Sequence, residues 1–505
     1  MKRKTLTTAV LAGLTGVAGI ANISNAVNLN PDGLGQVLIY PYYTVRGGWS
    51  TLLSVVNTTD EAKAVKVRVL EARNSREVID FNLYLSEYDV WTASIYDPDG
   101  DDAGVGGLTT LDNSCTVPAI KTSTTLPVDP NGNRYVPFRT FELDDGRSLA
   151  GNFSGYEDET REGYVEMLEM AEVFGAHAAA ATHLQPSGIP SSCGFLVSSW
   201  VSGAWSTNPS FETDAPTGGL FGNLTLLQAL EARAAGGPAD AVEAVYMTNQ
   251  HSNPGSLSPN LSSADFGVIP GRVRSIVFNG GAAIETDWNL GIDAVSAVFA
   301  YSQIMNEYAT SDGIESDWVV THPTKSPYVA VAPARAPFTE YYNEVSFGRA
   351  CEDIWVDVWN REEAEPTGDP GGVDFSPPIP GEDPTIPSLC YEANVISFQH
   401  GSESSSILQS NRRLVVDVDV VGGTNTANFD NGWARLGLTR SGQETNTVEN
   451  PNDQGDVYRG LPSTGFWITG LSADGIIPGV VSNFGALYHH RGQRDICETV
   501  CSTSP

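Results

Sequence analysis

Apolar and polar residues alternate with a period of two along much of this chain. Val65, Val67 and Val69 are interleaved with Lys66 and Arg68, and Ile79, Phe81, Leu83 and Leu85 with Asp80, Asn82 and Ser86. Successive side chains of a strand point to opposite faces, so each run predicts a half-buried strand with a wet outer face. The polar segment 71–76 connects the two. Upstream, 36–44 and 51–56 predict two further strands, and Asn57-Thr58-Thr59-Asp60 makes the turn after the second through side chains that bond their own backbone. Four strands within about sixty residues predict an antiparallel β-sandwich of immunoglobulin-like kind.

The pattern returns in the second half. Ile354, Val356 and Val358 alternate with Trp355, Asp357 and Trp359, and Val416, Val418 and Val420 with Asp417 and Asp419. Runs at 295–301, 318–321, 395–398, 433–438 and 466–471 predict more strands. No exact repeat of fixed period occurs, which argues against a solenoid or propeller. Helical composition is confined to 226–235 and 163–181, and the first of these reads equally as a hairpin turning at Gly236-Gly237.

The chain is therefore expected to be mainly β, an antiparallel sandwich with long acidic and Pro-rich loop insertions. It divides into a leader (1–26), amino-terminal sandwich strands (27–96) and an Asp/Gly/Thr-rich loop (97–133). A central β-rich region (134–361), a Pro-rich loop (362–389) and a carboxy-terminal β-rich region (390–505) follow, built with the first strands into one extended body.

Export enters through the leader. Lys2, Arg3 and Lys4 precede an uncharged stretch at 6–23, and Ser24-Asn25-Ala26 fits the small-x-small cleavage rule, so Val27 is expected as the first mature residue. The destination is the periplasm, the cell surface or the medium. All six cysteines lie beyond the leader, and an even count in an oxidising compartment predicts three disulfides; of the fifteen connectivities that six cysteines allow, the sequential one is expected, Cys115–Cys193, Cys351–Cys390 and Cys497–Cys501. A metal site made from His489, His490, Cys497 and Cys501 matches no established zinc spacing. Leu461-Pro462-Ser463-Thr464-Gly465 matches a cell-wall sorting pattern but lacks the apolar segment and basic tail, and reads as a turn before a strand. No second apolar run is long enough to span a bilayer.

Charge narrows the partners. The net charge is −33, and removing the leader's three basic residues leaves 25 Lys and Arg against 61 Asp and Glu. Such a surface repels nucleic acid and anionic lipid, which need a positive patch. It suits divalent cations, basic partners or a saline habitat, or serves solubility alone.

Two constellations carry candidate chemistry. In Asp97-Pro98-Asp99-Gly100-Asp101-Asp102, carboxylates at alternate positions can converge on Ca²⁺. Asp102 stands where an EF-hand needs Gly, and Leu108 where it needs Glu, so a looser β-loop calcium site through Asp97, Asp99, Asp101 and Asp102 is expected. Asp129-Pro130-Asn131-Gly132-Asn133 offers a second such loop, with a plain turn as the favoured reading. The second constellation is Trp355, Asp357 and Trp359 on one strand face, arranged as a sugar-binding platform; the competing reading packs this face into the core.

Enzyme signatures are missing: there is no G-x-S-x-G, H-E-x-x-H, P-loop or C-x-x-C. His322 and His400 lie near predicted strands and read as structural. The expectation is a non-enzymatic surface or extracellular protein of structural or adhesive role, self-assembling or binding surface polysaccharide. A carbohydrate-binding module is the alternative, and a secreted hydrolase working through two carboxylates comes third.

Residues 30–46 (NPDGLGQVLIYPYYTVR), 54–93 (SVVNTTDEAKAVKVRVLEARNSREVIDFNLYLSEYDVWTA), 216–222 (PTGGLFG) and 316–325 (SDWVVTHPTK) resemble a family of exported proteins of proteobacteria without assigned activity. The resemblance implies an envelope or surface location and brings no chemistry with it.

Overall fold

A computed structural model of the chain describes residues 26–141, 143, 156–311, 313–342, 349–365, 387–400, 403–404, 406–418, 429–439, 446–449, 456–472 and 483–497. The leader up to residue 25, Val420, Cys501 and most of the Pro-rich loop lie outside them. Within them the chain is mainly β, and almost every ladder is antiparallel.

The first half builds two facing sheets. Its main elements are β1 (Val37–Thr44), β2 (Trp49–Asn57), β3 (Ala62–Glu71), β4 (Glu77–Leu85), β5 (Val90–Tyr96) and β6 (Glu162–Val173). Helices α1 (Gly175–Ala181) and α2 (Cys193–Val201) follow, then β7 (Leu220–Gln228), β8 (Arg233–Pro238) and β9 (Asp240–Glu243). One sheet runs β9-β1-β6-β3-β4 and the other β8-β7-β2-β5. The early strands thus close into a sandwich only with partners from residues 162–243. Val65, Val67, Val69, Phe81 and Leu83 from one sheet meet Leu53, Val55, Trp91, Leu224 and Leu226 from the other. The outer sheet keeps the expected alternation of buried and open positions in β2 and β7. Gly222 is required there, because a Cβ would lie 2.0 Å from the Tyr40 hydroxyl, which donates to the Ser54 carbonyl at 2.7 Å.

The wet outer face expected for β3 and β4 does not exist. Lys63 and Lys66 are fully buried. Lys66 Nζ donates to the carbonyls of Asn253 and Pro254, and Asn82 Nδ2 to that of Ser252, so the segment following β9 covers this face. Burial pushes the Lys66 ammonium down and the Asp80 carboxyl beside it up to about 6.

The second half comprises β10 (Val273–Asn279), β11 (Ala282–Trp288), α3 (Gly291–Phe299), β12 (Gln303–Ala309), β13 (Ile314–Thr321), β14 (Trp355–Asn360) and β15 (Ala393–His400). It ends with β16 (Arg413–Asp417), β17 (Asn431–Gly437), β18 (Thr464–Ser472), β19 (Asn483–His489) and β20 (Arg491–Gln493). One sheet runs β15-β13-β18-β19, with β16 parallel to β15; a second runs β14-β17-β12-β20. Trp318, Val320, Ile396 and Phe398 face the second sheet's Ile304, Val356, Val358, Ala434 and Leu436. Val319, Val395, Phe466 and Ile468 turn the other way, into the core of the first sandwich. Alternate residues of one strand therefore feed two cores, and β1 does the same with Val37 and Ile39 against Leu38 and Tyr40.

Two sequence expectations fail here. Residues 295–299 form the end of α3 rather than a strand; a short continuous apolar run does not distinguish a buried helix from a buried strand. Residues 226–235 are not helical but form the β7–β8 hairpin, turning at 229–232 instead of Gly236-Gly237. Region 163–181 is part strand and part helix.

Cys115–Cys193 ties a sheet-edge strand to α2, and Cys351–Cys390 staples the ends of the Pro-rich loop, where Glu352 pairs with Leu389 and Asp353 with Ser388. Cys497 is disulfide-bonded. These bridges fit an oxidising compartment. Among the described residues no helix is long and apolar enough to cross a membrane.

Candidate functional site

Trp355, Asp357 and Trp359 lie on the outward face of the β14-β17-β12-β20 sheet, half-buried, while Val356 and Val358 take the core side. The core-packing alternative for this face is thereby excluded. Cross-strand register adds partners that the local sequence did not reveal. Trp359 pairs with Trp433, Asp357 with Arg435, and Trp355 with Gly437. Trp359 and Trp433 stack at 4.2 Å between ring centroids, 14° from parallel. The Arg435 guanidinium sits over both Trp359 (5.1 Å) and Trp355 (5.2 Å), and its Nη2 is 2.5 Å from the Asp357 carboxylate. Cation–π attraction and the ion pair together fix the arginine between the rings. Gly437 is the only residue type that fits beneath Trp355, since a Cβ there would lie 1.7 Å from the indole.

The result is a ladder, Trp355–Arg435–Trp359–Trp433, standing on the sheet. Its ring faces are largely satisfied by one another, unlike a flat platform. Trp433, 39% exposed, is the ring it offers most openly to solvent, with Trp355 and Trp359 half-buried beside it. The same face continues across the sheet, because Arg435 pairs with Met305 and Met305 with Arg491. Four strands span about 14 Å.

At β20 this face reaches a cleft of about 760 Å³. Arg491, Gly492 and Gln493 form one wall, with Asp240 and Ala241 of β9, Ile276 to Asn279 of β10, and Tyr301 around them. Asp240 accepts a hydrogen bond from Thr464 Oγ1. Burial raises its carboxyl, and attraction to His489 opposes the shift. The neighbouring His490 is structural: its Nε2–H donates to the Val319 carbonyl at 2.9 Å, and burial lowers its pKa to about 3. Arg494 is structural too, donating to the carbonyls of Val298 and Ala300 at the end of α3.

The acidic loop has a different internal logic from the one expected. Asp97 accepts backbone N–H bonds from Asp99, Gly100 and Asp102. Arg161, 1% exposed as a side chain, lies 2.6 Å from Asp102 and 3.3 Å from Asp97. Two of the four predicted calcium ligands therefore serve a buried guanidinium, and Asp101 caps the Ala103 N–H. Among the described residues no three His, Cys, Asp or Glu side chains are grouped to hold a metal. Asp129 makes the turn expected of it, accepting from the N–H groups of Asn131 and Asn133.

His322 is fully buried and bonded to the Pro462 carbonyl and Ser463 hydroxyl. The His400 side chain lies outside the described residues. A serine–histidine–carboxylate relay does occur: Ser199 Oγ is 2.9 Å from His177 Nε2, and His177 Nδ1 is 2.7 Å from Glu212. Ser199 and His177 are 3% and 1% exposed, beneath Trp205, Phe195 and Phe211. Ser199 sits within α2, where its N–H is committed to the helix and cannot serve an oxyanion. The relay is a strut that joins α1, α2 and the 212 turn.

No protein-family model matches this chain, and no characterised protein or solved structure matches it either.

Proposed function

We propose that this chain is an exported, non-catalytic adhesive protein that binds a surface polysaccharide along the outer face of the β14-β17-β12-β20 sheet. One observation carries the reading: the Trp355–Arg435–Trp359–Trp433 ladder faces solvent and shares its sheet face with the rim of the cleft of about 760 Å³. The exposed Trp433 ring beside the Arg435–Asp357 ion pair suits a ligand that is apolar on its ring faces and hydroxylated at its rim. A strip of strand pairs leading into a cleft suits an extended chain better than a small molecule. The disulfides and the sequence resemblance to exported proteins support display outside the cytoplasm.

The test is retention of the purified chain on a panel of immobilised polysaccharides. Trp433→Ala removes an exposed ring without opening the core, and should weaken the best interaction at least about tenfold, as loss of an aromatic hot spot does. Trp355→Ala should act through Arg435 and weaken it less. Binding by wild type that Trp433→Ala leaves unchanged would overturn the assignment. Concentration-dependent association of the protein with itself, lost in Trp433→Ala, would replace the polysaccharide with a second copy of this chain.

A further inference from the structure

The outward face of the β8-β7-β2-β5 sheet is built without a charged side chain. Thr225, Leu52 and Ser94 stand in one row across β7, β2 and β5, with Asn223, Ser54 and Thr92 in the next. Phe221, Val56 and Val90 form a third row, and Gly236 and Pro238 of β8 extend the first two. The other sheets differ. Ion pairs Lys66–Asp80 and Arg68–Glu166 cross the β9-β1-β6-β3-β4 sheet, and Asp357–Arg435 crosses the sheet of the ladder. In a chain with 61 acidic and 28 basic residues, a sheet face free of charge departs from the rest of the surface.

This face is open. Leu52 is 39% exposed and Val90 46%, and Thr92 and Asn223 are exposed between them. A groove of about 410 Å³ runs over it, lined by Leu52, Ser54, Thr92, Asn223, Thr225 and Leu111, and no charged residue lines it. Leu111 borders the groove yet is 73% exposed, so one surface offers both an apolar projection and a hollow to receive one. A two-fold contact needs that self-complementarity, because the same patch must serve both partners.

We propose that this face is the contact between two copies of this chain, packed sheet against sheet. Excess carboxylates oppose the approach of two such acidic chains through their charged faces, whereas this face brings none together. Its extent is sufficient: four strands about 19 Å across and about 30 Å long cover roughly 550 Å² per copy, so a pair buries about 1,100 Å², just past the size of a specific interface. That size sets a reversible dimer rather than an obligate one. The contact shares no residue with the ladder and does not rest on the function proposed above. Where that function holds too, a dimer carries two ladders and gains avidity for a long glycan.

Sedimentation equilibrium of the full chain tests the contact, over a range of concentrations at about 50 mM and about 500 mM NaCl. The expected result is a monomer–dimer equilibrium that tightens in the higher salt, as screening relieves repulsion between acidic copies. Leu52→Glu and Thr92→Glu should each weaken it at least about tenfold by setting carboxylates against each other. Both side chains are exposed, so the variants should melt like wild type, and Trp433→Ala should leave the association unchanged. A monomer under every condition, or a dimer that both glutamate variants leave intact, overturns the contact whether or not the ladder binds glycans. Association lost in Trp433→Ala but kept in Leu52→Glu overturns it too, and moves the contact to the ladder. A monomer whose retention on a neutral polysaccharide falls in Leu52→Glu overturns it in favour of a glycan on this face.

Discussion

Lys63 Nζ lies 2.8 Å from the Glu169 carboxylate, and neither side chain reaches solvent. The pair is completed by the Thr217 hydroxyl on the lysine and by the N–H groups of Thr217 and Gly218 on the glutamate. Burial raises the Glu169 carboxyl, and the lysine opposes that shift. Removing the lysine leaves Glu169 buried without its counter-charge. Lys63→Met should therefore cost about 3–5 kcal/mol in chemical denaturation. The double variant Lys63→Met/Glu169→Leu should recover most of that loss. The single variant's penalty should shrink in acid, where Glu169 takes up a proton.

Asp317 predicts a pH effect. Burial lifts its carboxyl from 3.8 to about 7, against hydrogen bonds from Ser397, Ser406 and the Leu408 N–H. The folded state therefore keeps a proton that the unfolded chain releases at lower pH. The stability this contributes is complete below about pH 4 and is lost as pH rises through about 7. Glu392, raised to about 8 by burial, extends the window upward. Stability measured from pH 4 to pH 8 should decline less steeply in Asp317→Asn than in wild type. An unchanged slope would show that Asp317 ionises normally.

The Arg161 clamp makes a contrast within one loop. Asp102→Ala should destabilise the chain by about 1–3 kcal/mol, because it strips a charged acceptor from a buried guanidinium. Asp99→Ala should fall within about 0.5 kcal/mol of wild type, as exposed substitutions do. Calcium and EDTA should give the same melting temperature. A calcium-dependent rise that vanishes in Asp99→Ala/Asp101→Ala would make the loop a metal site after all.

The disulfides close loops of 78 and 39 residues. Chain entropy makes the longer loop worth only about 0.6 kcal/mol more. Cys115→Ser/Cys193→Ser and Cys351→Ser/Cys390→Ser should thus lose similar stability, about 2–5 kcal/mol each. A difference far above that would mean one bridge does more than restrict the unfolded chain.

Much of the β architecture was legible from alternation alone, including β2 to β4, β13 to β15, β17 and β18. Period two identifies the two faces of a strand but not what covers them. Lys66 and Asp80 read as solvent-facing, yet a segment nearly two hundred residues later buries them. Val295 to Phe299 was illegible for another reason, since a buried helix and a buried strand share its composition. At the ladder, the sequence supplied Trp355, Asp357 and Trp359. Trp433, Arg435 and Gly437 joined them only through register, although the Trp-x-Arg-x-Gly spacing placed all three on one face of their own strand.

The burial of three lysines has a practical consequence. Lys63, Lys66 and Lys325 are sealed inside, so Lys121 is the one lysine beyond the leader whose side chain meets water. Among the described residues, amine-directed reagents acting on the folded chain therefore meet a single accessible lysine side chain. Lys121 lies in the amino-terminal body, bonded to Asn113 and sharing no residue with the ladder. One label or surface tether can therefore be attached at a defined point while the aromatic face is left untouched.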